Sequence, residues 1–176
     1  REGGLQKPVD SEMGKHALLS IRKGLEACAA MKIPALLVTS YDACAIVNGY
    51  DVECTAKMLK ATAAMARDYG VELTYESVLQ YEYVAQILDE AGPDVKLCYD
   101  ILNPIKFLKG DPVEEIAKLG RERIAYVHLK DCPKEMTGFC QLGEGYGRFR
   151  ESIDALHQIG FDGWYITENF YHLPPM

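Results

Sequence analysis

The sequence predicts an α/β protein with a parallel sheet, and three observations carry that prediction. Five short apolar segments recur along the chain, around Leu36, Leu73, Leu97, Val127 and Ile166. None shows the two-residue alternation of a strand with one wet face, so each reads as a strand buried on both sides. Stretches with apolar residues at helical spacing separate them, which makes an αβ unit repeated five times. A doubly wound sheet and a closed barrel both fit this pattern. No G-x-G-x-x-G follows a strand and no G-x-x-x-x-G-K-[ST] is present, so a nucleotide-binding doubly wound sheet lacks its usual signal.

The elements follow in order. Residues 11–31 place Leu18, Leu19, Leu25 and Ala29 on one helical face, with Asp10 or Ser11 as the cap. Pro34 interrupts, and Ala35–Thr39 is the first strand. Residues 40–50 are a loop, and a second helix opens at Asp51 or Val52 and runs to Tyr69, where Gly70 closes it. Residues 71–75 form the next strand, leaving Glu76 at its exit. A third helix covers about 79–91 and stops at Gly92-Pro93. Residues 95–99 form a strand that exits at Asp100. Asp111 followed by Pro112 is an N-cap with proline at the first helical position, opening a helix to about Leu119. Residues 124–128 (Ile-Ala-Tyr-Val-His) form the fourth strand, and the polarity switches at Lys130 and Asp131. A loop with Gly138, Gly143, Gly145 and Gly147 leads to a last helix over 149–159. Residues 163–167 form the fifth strand, with Glu168 at its exit.

Composition narrows the function classes. At 176 residues with 48% hydrophobic content, the chain fits one domain over 1–176. A net charge of −7 and no basic stripe argue against a nucleic-acid partner. No apolar run reaches the roughly 18–20 residues that span a bilayer, so no membrane partner is expected. The first residues carry no apolar signal segment. They also lack an initiator methionine, as in a processed chain or a piece of a longer one. Six cysteines form no C-x-x-C pair and read as reduced structural thiols, which favours the cytoplasm.

Chemistry concentrates at strand exits. In parallel α/β folds the C-terminal ends of strands carry the reactive groups. His128 alone would read as an ordinary satisfied core histidine. Four successive strands, however, deliver Glu76, Asp100, His128 and Glu168 as their first strongly polar residues. Three carboxylates converging without an arginine partner would repel one another. One divalent metal ion removes that conflict, and three oxygens plus one imidazole suit Mn²⁺, Mg²⁺, Co²⁺ or Zn²⁺. Lys130 and Asp131, by contrast, read as the start of a loop that shapes the pocket rim.

Five segments carry a family resemblance. They are V-E-L-T-Y-E-S-V-L-Q-Y-E (71–82), K-L-C-Y-D-I-L-N (96–103), Y-V-H-L-K-D (126–131), L-G-E-G (142–145) and G-F-D-G-W-Y-I-T-E-N-F (160–170). In these the chain resembles the xylose isomerase-like TIM-barrel superfamily. The branch is that of sugar-phosphate isomerases and epimerases, which includes ketose 3-epimerases, hydroxypyruvate isomerase and inosose dehydratase. The resemblance implies a (β/α)8 barrel, of which about the last five strands are present. An N-terminally incomplete chain, or a second chain completing the barrel as in a homo-oligomer, accounts for that. The first strand would then expose an unpaired apolar edge.

The resemblance also implies a metal bound by Glu76, Asp100, His128 and Glu168, and a small-molecule sugar or polyol ketone as partner. The implied activity is isomerase or epimerase chemistry, in which a ligand carboxylate removes the proton next to a carbonyl and the metal stabilises the enediolate. Glu76 and Glu168 take the catalytic roles by that analogy. Glu82 matches a glutamate that contacts substrate hydroxyls, and Lys134 falls where the epimerases place an arginine. Asn103 stands where many members have histidine; it can bind a hydroxyl but cannot act as a base. A dehydratase of inosose type would use the same centre. An inactive fragment serving as an assembly module is the alternative from another class. A DNA-repair endonuclease of the same fold would need more histidines than His16, His128, His157 and His172.

Overall fold

The computed structural model describes residues 3–135 and 138–168. The tail from Tyr171 to Met176 lies outside them, as do Asn169 and Phe170 of the last family segment. The chain forms two compact units, one ending at Leu97 and the other beginning at Cys98.

In the first unit, helix α1 spans Glu12–Met31, and Ser11 is its cap: the Ser11 hydroxyl accepts from the Gly14 N–H at 3.0 Å. Strand β1 is Ala35–Thr39. Helix α2, Gly49–Tyr69, starts before Asp51 and Val52, the two openings read from sequence. Asn48 explains the difference, since its side-chain oxygen accepts from the Asp51 N–H at 3.0 Å and supplies the first turn with an acceptor. Gly70 closes α2 at φ 65°, a left-handed position that favours glycine. Strand β2 is Glu72–Glu76 and helix α3 is Tyr81–Ala91.

β1 and β2 run parallel, pairing Ala35 with Glu72 and Thr39 with Glu76. β2 pairs in the same sense with the opening residues of strand β3, Val95–Asp100, bringing Tyr75 opposite Leu97. Leu25, Met58, Leu59, Leu73, Tyr75 and Ile87 are fully buried and form the core of this unit. Burial pushes the Tyr75 phenol up to about 12, and its hydroxyl lies 2.7 Å from the Ser40 hydroxyl. β1 is the outer strand of its ladder, with all five residues half-buried.

β3 crosses into the second unit at Cys98. Asp100 ends the strand and is followed by a π-helical turn, Pro104–Leu108, that the sequence pattern does not announce. Helix α4 is Pro112–Leu119, capped by Asp111, whose carboxylate accepts from the Val113 N–H at 2.9 Å. Strand β4 is Ile124–Leu129, helix α5 is Phe149–Gln158, and strand β5 is Trp164–Thr167. β4 follows β3 in strand order, and β4 and β5 pair in parallel from Tyr126–Trp164 to Leu129–Thr167. Ile101, Leu102, Ile116, Ile124, Val127 and Leu156 fill the core. No helix among the described residues is long and apolar enough to cross a membrane.

Candidate metal centre

The second unit brings Asp100, His128 and Glu168 together. Each lies at or just past the C-terminal end of its strand, and each offers a donor atom within 4.8 Å of the others. His128 and Asp100 are buried, whereas the Glu168 side chain is 38% exposed. His128 Nδ1 lies 2.7 Å from Glu168 Oε2. The backbone holds these positions: the Ile101 N–H donates to the His128 carbonyl at 3.3 Å, and the Glu168 N–H donates to the Leu129 carbonyl at 3.1 Å. Asp100 is oriented by its own turn, since Oδ1 accepts from the N–H groups of Leu102 at 2.8 Å and Asn103 at 3.1 Å. That Asx-type contact turns Oδ2 toward the other ligand candidates.

Lys130 corrects the sequence reading. It is no rim residue: its Nζ stands 2.6 Å from Asp100 Oδ2 and 3.0 Å from Glu168 Oε2. Burial works to lower its pKa, but the Asp100 and Glu168 carboxylates outweigh burial and raise it. The carboxylates therefore do have a cationic partner, a lysine rather than an arginine. The signal was present, because residues two apart in an extended strand share a face, and Lys130 follows His128 at that spacing. Cys98 precedes Asp100 by the same two residues, and its buried thiol lies within 4.8 Å of a His128 ring nitrogen.

Asp131 corrects the reading as well. It is fully buried and serves as the acceptor that shapes the following loop. Its Oδ1 accepts from the N–H groups of Cys132 and Gly147, both at 2.9 Å. Its Oδ2 accepts from Gly143 at 2.9 Å and Gly145 at 3.0 Å. The glycines at 145 and 147 are required by close approach. A Cβ on Gly145 would lie 2.3 Å from Asp131 Oδ1 and from the Cys132 carbonyl.

The remaining sequence-derived residues are placed as follows. Asn103 is buried beside Asp100, and its own N–H contributes to holding that carboxylate. Lys134 is exposed, with Nζ 5.8 Å from the centre of the Tyr146 ring. In the first unit, Glu76 ends β2 with only 4% exposure, and its carbonyl accepts from the Ser40 N–H at 3.1 Å. Glu82 sits exposed in the first turn of α3.

The donor set fits a divalent cation. Asp100 and Glu168 as carboxylates contribute −2, Lys130 contributes +1, and the sum of −1 leaves the cluster attractive to positive charge. Two carboxylate oxygens and an imidazole nitrogen are donors that Mn²⁺, Co²⁺ and Zn²⁺ all accept.

Comparison with known proteins agrees with the fold. A family model described as xylose isomerase-like TIM barrel matches residues 6–175. The chain belongs to this family. A curated relative is the 2-epi-5-epi-valiolone 7-phosphate 2-epimerase of Actinoplanes sp. (strain SE50/110), 30% identical over 125 residues. That match takes in 70% of this chain and 46% of the relative, so the chain spans about half the relative's length. Among solved structures, L-ribulose 3-epimerase superposes with a TM-score of 0.76 at 16% identity, covering 97% of this chain and 61% of that one. D-psicose 3-epimerase in the presence of D-fructose gives 0.75 at 17%, over 98% of this chain and 64% of that one. The IOLI protein with a binding zinc atom gives 0.74 at 20%, over 93% and 63%. The αβ repeat is thus that of an incomplete (β/α)8 barrel, with five of the eight strands among the described residues.

Proposed function

We propose that this chain carries the metal-binding part of a sugar epimerase or isomerase that moves a proton next to a carbonyl. The observation that supports it is the convergence of the Asp100, His128 and Glu168 donor atoms at strand ends, already facing a cation. The curated relative is named as a 2-epimerase of 2-epi-5-epi-valiolone 7-phosphate, and structural neighbours include L-ribulose 3-epimerase and D-psicose 3-epimerase.

A divalent metal ion, when bound, supplies Lewis-acid polarisation of the substrate carbonyl. Asp100 and His128 are the buried donors that hold it, with Asp100 preset by its two backbone contacts. Glu168 is the more exposed carboxylate, and it takes the proton next to the carbonyl. Glu76, a carboxylate kept buried at a strand exit, is assigned a ligand role and the return of the proton by family analogy. Asn103, Glu82 and Lys134 are assigned to substrate hydroxyls on the same ground. The substrate is a small sugar or polyol ketone, with phosphorylated members the first to try.

Two measurements test this. Thermal melting with and without Mn²⁺ should show a rise on metal addition, as mass action requires of a native-state ligand; no rise with Mn²⁺, Co²⁺ or Zn²⁺ overturns the metal assignment. Incubation with ketoses and inososes in D₂O should place deuterium next to the carbonyl of at least one. No exchange in any of them, with metal bound, overturns the proton-transfer chemistry.

A further inference from the structure

Lys130 is the member of the centre to which neither the metal-ligand pattern nor the proposed chemistry gives a task. Its ammonium contacts Asp100 Oδ2 at 2.6 Å and Glu168 Oε2 at 3.0 Å, and only 14% of its side chain is exposed. Asp100 has committed Oδ1 to the backbone of Leu102 and Asn103. The oxygen that Asp100 turns toward an ion is therefore the oxygen that Lys130 already holds. Glu168 Oε2 is shared in the same way between Lys130 and His128 Nδ1. A divalent ion bound to these atoms would meet the ammonium at contact distance, and two cations so close repel strongly in a half-buried site.

We propose that Lys130 is the built-in counter-ion of the metal-free centre, occupying the cation position between Asp100 and Glu168 and swinging out when a divalent ion enters. The inference rests on the metal reading above and adds a gate to it. A lysine suits the role. Its ammonium is a compact point charge on a flexible four-carbon stem, so it can neutralise the two carboxylates and then leave without moving the strand. Such a residue keeps the two carboxylates from being forced apart by their own charge whenever no ion is bound. It also weakens metal binding, because the apparent affinity is reduced by the fraction of molecules whose lysine is already out.

The test compares wild type with Lys130→Met, both stripped of metal and confirmed as folded by circular dichroism. Calorimetric titration with Mn²⁺ should show the variant binding about tenfold more tightly or better, and its metal-free form should melt below metal-free wild type. Binding by the variant alone would support the same conclusion more strongly. Equal or weaker Mn²⁺ binding by a folded variant, with wild type binding normally, overturns the counter-ion role and leaves the metal centre standing. Failure of both proteins to bind Mn²⁺, Co²⁺ or Zn²⁺ overturns the metal reading and this inference with it. A second readout needs no variant: limited acetylation of wild type followed by peptide mass spectrometry. Labelling of Lys130 should rise several-fold on saturation with Mn²⁺, and unchanged protection would overturn the swing.

Discussion

Asp100 and Asp131 are both buried aspartates of the second unit, one ending β3 and the other just past β4, yet their surroundings give them opposite tasks. Asp131 spends both oxygens on four backbone N–H groups, from Cys132, Gly143, Gly145 and Gly147. Asp100 spends one oxygen on two backbone N–H groups and presents the other to Lys130. A carboxylate saturated by main-chain donors is a structural pin. One that is half-committed is preset for a ligand. The difference teaches that burial of an acid does not by itself mark a functional site; what matters is whether an oxygen is turned toward mobile charge.

The largest effect should come from breaking the pin. Asp131→Ala leaves four N–H groups without their acceptor, and at about 1–3 kcal/mol for each unsatisfied buried group a loss of about 3 kcal/mol or more is expected in urea unfolding. A loss below about 1 kcal/mol would show that the loop is held by something else.

On the other side of the comparison, Asp100→Asn keeps an oxygen for Leu102 and Asn103 but removes the charge. Its stability should stay within about 1 kcal/mol of wild type, while Mn²⁺ affinity falls by about a hundredfold, since even outer-shell changes cost 10–100-fold. His128→Ala and Glu168→Gln should lose metal in the same titration. Retained affinity in any of the three would remove that residue from the ligand set.

Gly145→Ala sharpens the contrast from the loop side. Its Cβ would stand 2.3 Å from Asp131 Oδ1, and relief of such an overlap costs about 2 kcal/mol. Stability should drop with Mn²⁺ affinity nearly unchanged, whereas a parallel fall in affinity would couple the pin to the centre. The smallest effect is expected at Glu82→Gln: unchanged metal binding with turnover slowed about tenfold, the worth of one charged contact to a substrate hydroxyl. Equal metal loss there would show that the roles of Glu82 and the ligands have been confused.

Much of the fold was legible because its signals are local. Continuous apolar runs ending at Glu76, Asp100, His128 and Glu168 declare parallel strands and their exits, but burial on both faces fails for β5, where Trp164 is 78% exposed. Asp111-Pro112 and Gly70 mark helix ends through side-chain and backbone chemistry within a turn. Asn48 was missed as a cap because Gly49 and Tyr50 are weak helix formers, and only the contact to Asp51 shows that the helix begins there. The π-helical turn at Pro104–Leu108 has no comparable sequence mark.

The sequence by itself determined the repeating αβ units, the strand exits and the residue types of a candidate metal site, because each depends on spacing along one short segment. Only the tertiary structure decided that Asp100, His128 and Glu168 converge with Lys130 among them, and that Asp131 belongs to the loop. The physical reason lies in the partners. Asp131 is satisfied by glycine N–H groups 12 to 16 residues away, and Lys130 by carboxylates at the exits of two other strands. Backbone donors are identical in every residue but proline, so a sequence does not record which of them will meet a buried carboxylate.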